Sequence, residues 1–397
     1  MFESNVKIFK KAKAKITSTD SLEQELLDSF IEEIVPEHDK QLLQFVFTEN
    51  PTQESLNSFL KTWDIEVEGA NKALLLSYFM KIHPELVFPA YVGPRLKGLL
   101  NYYRFQNLKL ISQFRKICKE LRKANIEILV FKGGAMKHLR PDFSRLMGDI
   151  DILIHEKDYA KAAQIVEAMG YDCHYYKHSI DLHPKGSEEG ILDIHKFIPM
   201  ETGYEYKINE DLFARATKTK VFGIDAYIPC NEDMAFISLV NMAKNLVLKT
   251  SVNGILYTAF DIKFLMESTK NFRWHILEDN AKKAKSENQL SFAVSFLNKM
   301  VKGIIPSEMF KYSYSEKFKN YCILLFYKRF FLAGMKQRCH QLTAEPLLKD
   351  MKRLKEYLKL RPKYLFFKCF INSPFMAARM IMLNKKYHLV EKEYELN

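Results

Sequence analysis

Apolar and polar positions follow two rhythms along the chain. In the first hundred residues apolar positions recur at helical spacing between short polar turns. Ser21 with Gln24 forms a capping box ahead of LEQELLDSF, and Asn50, Pro51 and Gln53 open a second helix ahead of SLNSFL. From Asn107 to Asn125 a helix sets Leu108, Ile111, Phe114, Ile117 and Leu121 on one stripe, with Lys109, Arg115, Lys119 and Arg122 elsewhere, a stripe expected to pack behind a sheet. The rhythm then shortens. IEILVF reads as a strand, the pair Gly133–Gly134 as a turn, Ala135 to Leu139 as a short helix and GDIDILI as a second strand; a helix from Glu156 to Met169 ends on Gly170. YDCHYY, SIDLH and GILDIHKFI are three further short β-rich runs separated by turn residues. Helical spacing returns with NEDMAFISLVNMAKNL, N-capped by Asn231, and with ILYTAFDIKFLM; after Tyr312 the chain becomes aromatic and basic.

This pattern predicts an α+β fold: a small mixed sheet in a core of residues 107–230, between a helical region of residues 1–106 and a second helical region of residues 231–397. No internal repeat argues for a solenoid.

Composition narrows the class. With 397 residues, 47% hydrophobic and 27% charged, the chain suits a globular protein with two or three cores. The net charge of +12 favours polyanionic partners such as RNA, or an anionic membrane surface. Six cysteines lack CxxC spacing, so reduced cytoplasmic thiols are expected rather than a zinc knuckle or disulfide framework. The N-terminus has no apolar signal core and no stretch is long enough to span a membrane, which predicts a cytoplasmic protein.

The chemistry gathers between Ile128 and Ile154. In a strand, alternate side chains share a face, so Asp149 and Asp151 sit side by side while Ile150, Ile152 and Ile154 face the other way. Paired carboxylates repel unless a cation lies between them, and an oxygen-rich site suits a hard divalent ion such as Mg2+ or Mn2+. Upstream, two glycines let the backbone approach a bulky anion, and the following helix can aim its amides at phosphate. Asp193, in GILDIHKFI, supplies a third carboxylate to hold a second ion and help activate a hydroxyl; His195 shares its face. Five histidines fall between His155 and His195, in a spacing that matches no zinc motif. Lys244 and Asp261, charged residues among apolar helical neighbours, are expected either to pair structurally or to meet near the nucleotide. In the aromatic, basic C-terminal segment, Lys and Arg between aromatics suit core helices with solvated basic faces, RNA contact or a membrane interface.

KGGAMKHL, RLMGDIDILI and ILDIH, in this order, resemble the nucleotidyltransferase superfamily of the DNA polymerase β type, and more closely its bacterial uncharacterised branch. The resemblance covers roughly residues 70 to 270. It implies transfer of a nucleoside monophosphate from an NTP such as ATP to an acceptor hydroxyl or phosphate, on RNA or tRNA, a small molecule or a protein, with release of pyrophosphate. It also implies that Lys132, Gly133 and Gly134 form the turn that holds the nucleotide phosphates, with Asp149, Asp151 and Asp193 binding the metal ions. Arg145 is the spacer arginine that steadies the triphosphate, and Lys244 joins the nucleotide-binding set. Gly134 stands where the superfamily usually has serine, which removes one phosphate hydrogen bond. Two other roles stay open: a catalytically silent RNA-binding or membrane-surface module, and a toxin neutralised by an antitoxin-like partner.

Overall fold

Seven short strands carry the alternating segments: β1 Leu129–Val130, β2 Ile150–Leu153, β3 Asp172–Tyr175, β4 Ser179–His183, β5 Leu192–His195, β6 Thr217–Val221 and β7 Ile224–Ile228. They form one mixed sheet in the order β3-β4-β5-β2-β1-β7-β6. The computed structural model describes residues 35–309 apart from 36, 66–68, 142–146, 188–190, 201, 249–252, 302 and 306–308. All but Val35, Val247 and Leu248 of these belong to one compact unit, Glu37–Leu246 with Ser251–Ser313. The Ser21–Gln24 capping box and the aromatic, basic segment after Tyr312 lie outside the described residues.

Two parallel pairings sit at the centre of the sheet, β2 with β5 and β1 with β7; the other neighbours are antiparallel. All four residues of β2 are buried, as a central strand covered on both faces requires. The β6–β7 hairpin was not legible as strands. Its two-residue turn is Phe222–Gly223, both at positive φ (49° and 86°), where a hairpin ordinarily signals itself with Asn or Gly at the first position. Phe222 tolerates this backbone because its ring packs edge-on against Phe114 and His138.

Eleven α-helices fall among the described residues: α1 Glu37–Val46, α2 Gln53–Leu60, α3 Ala70–Ile82, α4 Gly93–Lys123, α5 Lys132–Leu139, α6 Tyr159–Ala168, α7 Asn209–Arg215, α8 Asn231–Leu248, α9 Asn253–Glu267, α10 Trp274–Lys283 and α11 Glu287–Met300. Thr52, rather than Asn50, caps α2, in a reciprocal capping box with Ser55. The helix expected from Asn107 begins at Gly93, with a proline in its first turn. Phe114, Ile117 and Leu121 are buried as the stripe required, but Leu108 is exposed. Its strict stripe covers only the half of α4 that packs near β2, β7 and α6. Asn231 opens α8, but its side chain donates to Thr269 and Ser268 and so ties α8 to the end of α9 instead of capping its own helix.

Among the described residues Cys118, Cys173 and Cys230 are free, and no helix is long and apolar enough to cross a membrane.

Candidate active site

The register of three strands builds a polar row. Asp151 on β2 stands opposite Asp193 on β5, Asp193 opposite Asp181 on β4, and Asp181 opposite His174 on β3. Directly paired residues share a sheet face, so these side chains project together. Asp149, just before β2, is exposed at the open edge of this group, whereas Asp151 is buried and Asp193 half-buried. Asp149, Asp151 and Asp193 each offer a carboxylate oxygen within 4.8 Å of the other two.

A lysine and a histidine hold this cluster. His195 lies one alternation beyond Asp193, and its Nε2–H is shared between Asp151 Oδ1 at 2.9 Å and Asp193 Oδ2 at 3.0 Å. Burial alone would lower the His195 pKa, but these two carboxylates raise it. The Lys132 ammonium also binds Asp151 Oδ1. Lys132 has a left-handed φ of 49°, the sharp turn that takes the chain from β1 into α5 while its side chain returns toward β2. Burial again works against its charge, and Asp151 more than offsets it. Burial would likewise raise Asp151, but Lys132 and His195 hold it well below the usual carboxylate range.

Asp149 behaves in the opposite way. The negative charge of Asp151, reinforced by desolvation, pushes it up to about 6. Asp193 Oδ1 is buried with no hydrogen-bond partner. A repelled carboxylate next to an unpartnered buried oxygen is a donor set suited to a hard divalent cation, so the residues present fit a metal site. The position taken by the Lys132 ammonium marks where positive charge is stabilised.

His178 extends the site. Its ring stacks on His195 at 5.6 Å, and His178, Asp193 and His195 present ligand atoms within 4.8 Å of one another. Burial, then the charge of His195, pushes His178 down to about 4, so at neutral pH it is an uncharged lone-pair donor. Neither His178 nor Asp181 was singled out from sequence. For Asp181 the available signal was that SIDLH and ILDIH repeat the same Asp-x-His spacing, which places both pairs on one face once the two strands are neighbours.

The remaining expected residues divide. Gly133 and Gly134 lie in the first turn of α5, where backbone amides have no intrahelical acceptor. A Cβ on Gly134 would meet Ile150 Cγ2 at 2.9 Å and Val130 Cγ1 at 3.0 Å. Glycine here lets α5 settle onto the apolar face of β1 and β2, and a serine would direct its side chain into that contact. Lys244, half-buried on α8, is close enough for its charge to help lower His178. Asp261 is buried on α9. Arg145 lies outside the described residues.

A family model described as an uncharacterised nucleotidyltransferase matches residues 72–302. Among solved structures, the chain is similar to the antibiotic-resistance factor ANT(2'')-Ia, at 14% identity and a TM-score of 0.34, over 45% of this chain and 92% of that one. It is also similar to an antigenic nucleotidyltransferase-like protein from Paracoccidioides brasiliensis, at 16% identity and a TM-score of 0.32, over 46% and 91% of the respective chains. A comparison with curated proteins finds no match.

Proposed function

The chain belongs to the uncharacterised nucleotidyltransferase family, and from that premise we propose a metal-dependent transfer of a nucleoside monophosphate from an NTP to an acceptor, with Asp149, Asp151 and Asp193 as the catalytic carboxylates. The observation that carries this reading is the convergence of three carboxylates within 4.8 Å, one repelled and one with an unpartnered buried oxygen. Mg2+ or Mn2+ bound by these three residues would supply charge neutralisation at the transferred phosphate and a more acidic acceptor hydroxyl.

The chain's own groups divide the remaining work. Asp193 takes the proton of the incoming hydroxyl as the oxygen bonds to the α-phosphorus; the bond from that phosphorus to the bridging oxygen breaks and pyrophosphate leaves. His195 holds Asp151 and Asp193 in register through one shared N–H. The amides of Gly133 and Gly134 meet the nucleotide phosphates, with the positive end of α5 behind them. Lys132 moves from Asp151 toward phosphate when a cation binds the carboxylates, with Lys244 and Arg145 adding positive charge. On this reading residues 107–230 form the catalytic core, between the regions of residues 1–106 and 231–397.

The test is incubation of the protein with each α-labelled NTP, Mg2+ or Mn2+, total cell RNA and lysate. Label is expected on one class of acceptor with the wild type and none with Asp149→Ala, at unchanged circular dichroism. A folded wild type that transfers no label from any NTP would overturn the proposal.

A further inference from the structure

The exposed half of α4 carries chemistry that the catalytic cluster does not use. The whole of α4, 31 residues, holds nine Lys or Arg against one acidic residue, Glu120, whereas the whole chain holds 60 against 48. Glu120 is already bonded to Lys123. Among the described residues no carboxylate is paired with Lys97, Arg104, Lys109 or Lys116. On the same outward face Tyr102, Phe105 and Leu108 are 54%, 57% and 55% exposed. Tyr102 and Tyr103 form an edge-to-face pair at 4.9 Å, and the Lys109 ammonium lies 5.0 Å from the Phe105 ring centre. Successive aromatics beside unpaired cations are the elements of a stacking platform for unpaired bases with phosphate contacts alongside.

We infer that this face of α4 binds single-stranded RNA, which does not depend on the transfer reaction above. Three observations favour this occupant. The charge is one-sided, which suits a polyanion. RNA is the cellular polyanion whose bases are commonly unpaired and free to stack. An anionic membrane would need a continuous apolar face to insert, and the continuous apolar face of α4, Leu96 with Phe114, Ile117 and Leu121, is buried. The helix is also coupled to the site. Asn107, buried on its inner side, accepts the backbone N–H of Met147, two residues before Asp149, at 3.3 Å. RNA on the outer face would therefore lie about a helix diameter, 10–12 Å, from the segment leading into the carboxylates.

The experiment is fluorescence anisotropy of the full chain with a labelled, unstructured RNA 20-mer, at several salt concentrations, with phosphatidylserine vesicles as a second arm. The double change Arg104→Glu with Lys109→Glu is expected to weaken RNA binding at least tenfold and to reduce the salt slope by about 1.4, two single-strand phosphate contacts. Tyr102→Ala with Phe105→Ala is expected to weaken it several-fold without altering that slope. RNA carrying 4-thiouridine is expected to crosslink to the peptide containing Tyr102 to Phe105. RNA binding is read without NTP or metal, so failure of the transfer reaction and failure of the docking surface are separately visible. RNA affinity unchanged by both double variants, or α4-dependent binding to vesicles and not to RNA, would overturn the inference.

Discussion

Two carboxylate clusters in this molecule come out opposite. At the start of α8, Asp233 is fully buried and fully satisfied. It accepts from Arg215 Nε at 2.9 Å and Nη2 at 2.7 Å, from Asn280 Nδ2 at 2.7 Å and from the Cys230 thiol. Its neighbour Glu232 accepts from the side chain and backbone of Arg273; burial works against its charge, but these bonds hold it down at about 2. At β2 and β5, Asp149, Asp151 and Asp193 crowd together around Lys132 and His195, which leaves Asp149 pushed up to about 6 and Asp193 Oδ1 without a partner. The carboxylates of the first group are satisfied by side chains of the fold. The second leaves a buried acceptor without a partner, as a substrate and cation site would require.

The largest expected separation between the two is in activity. Asp149→Ala or Asp193→Asn should lower nucleotidyl transfer by roughly 10³-fold or more, since each removes a carboxylate from the cation set. Melting temperature should barely move, because removing one of several mutually repelling carboxylates costs the fold little. The converse variant, Asp233→Ala, leaves the Arg215 guanidinium facing a cavity. It should cost about 3–5 kcal/mol, roughly 10 °C in melting temperature, with normal transfer by the molecules that stay folded. If Asp233→Ala instead abolished transfer without destabilising the protein, the distinction would fail.

Much of the Asp149, Asp151 and Asp193 cluster was legible in sequence, and for a physical reason. Asp149 and Asp151 are two residues apart on one strand, so local periodicity alone puts them together, and Asp193 reads as a strand position by the same alternation. What alternation cannot give is the neighbour. That β5 pairs parallel to β2, so that Asp193 stands opposite Asp151 and His195 reaches both, is a property of sheet order. The stabilising group was not legible, because Arg215, Asp233 and Asn280 are 18 and 47 residues apart and each looks like an ordinary helical polar residue. The β6–β7 hairpin was hidden by Phe222 in a position that usually advertises itself with Asn or Gly. The early start of α4 was hidden because its first half exposes aromatics where a core helix would show polar residues.

Two smaller effects sharpen the contrast. Gly134→Ser places a Cβ against Ile150 and Val130 and should cost about 1–3 kcal/mol by overpacking, with no gain in transfer rate; a more active serine variant would show that the hydroxyl bond to phosphate, lost with Gly134, outweighs that cost. Glu232 gives the pH dependence. Its folded pKa is depressed from 4.5, so its contribution to stability is complete above about 4.5 and is lost as pH falls toward 2. Denaturation across that window should show Glu232→Gln less stable than wild type by about 1–2 kcal/mol at pH 7, with the difference vanishing at acid pH.

The incomplete carboxylate cluster can be examined directly by titrating Mn2+ in the presence of a non-hydrolysable NTP analogue and following the free-ion signal by electron paramagnetic resonance. The wild type and Asp233→Asn are expected to bind Mn2+ alike, while Asp149→Asn and Asp193→Asn each weaken binding at least tenfold. Mn2+ binding that survives both changes at wild-type strength, in folded protein, would contradict the assignment of the cation site to these carboxylates.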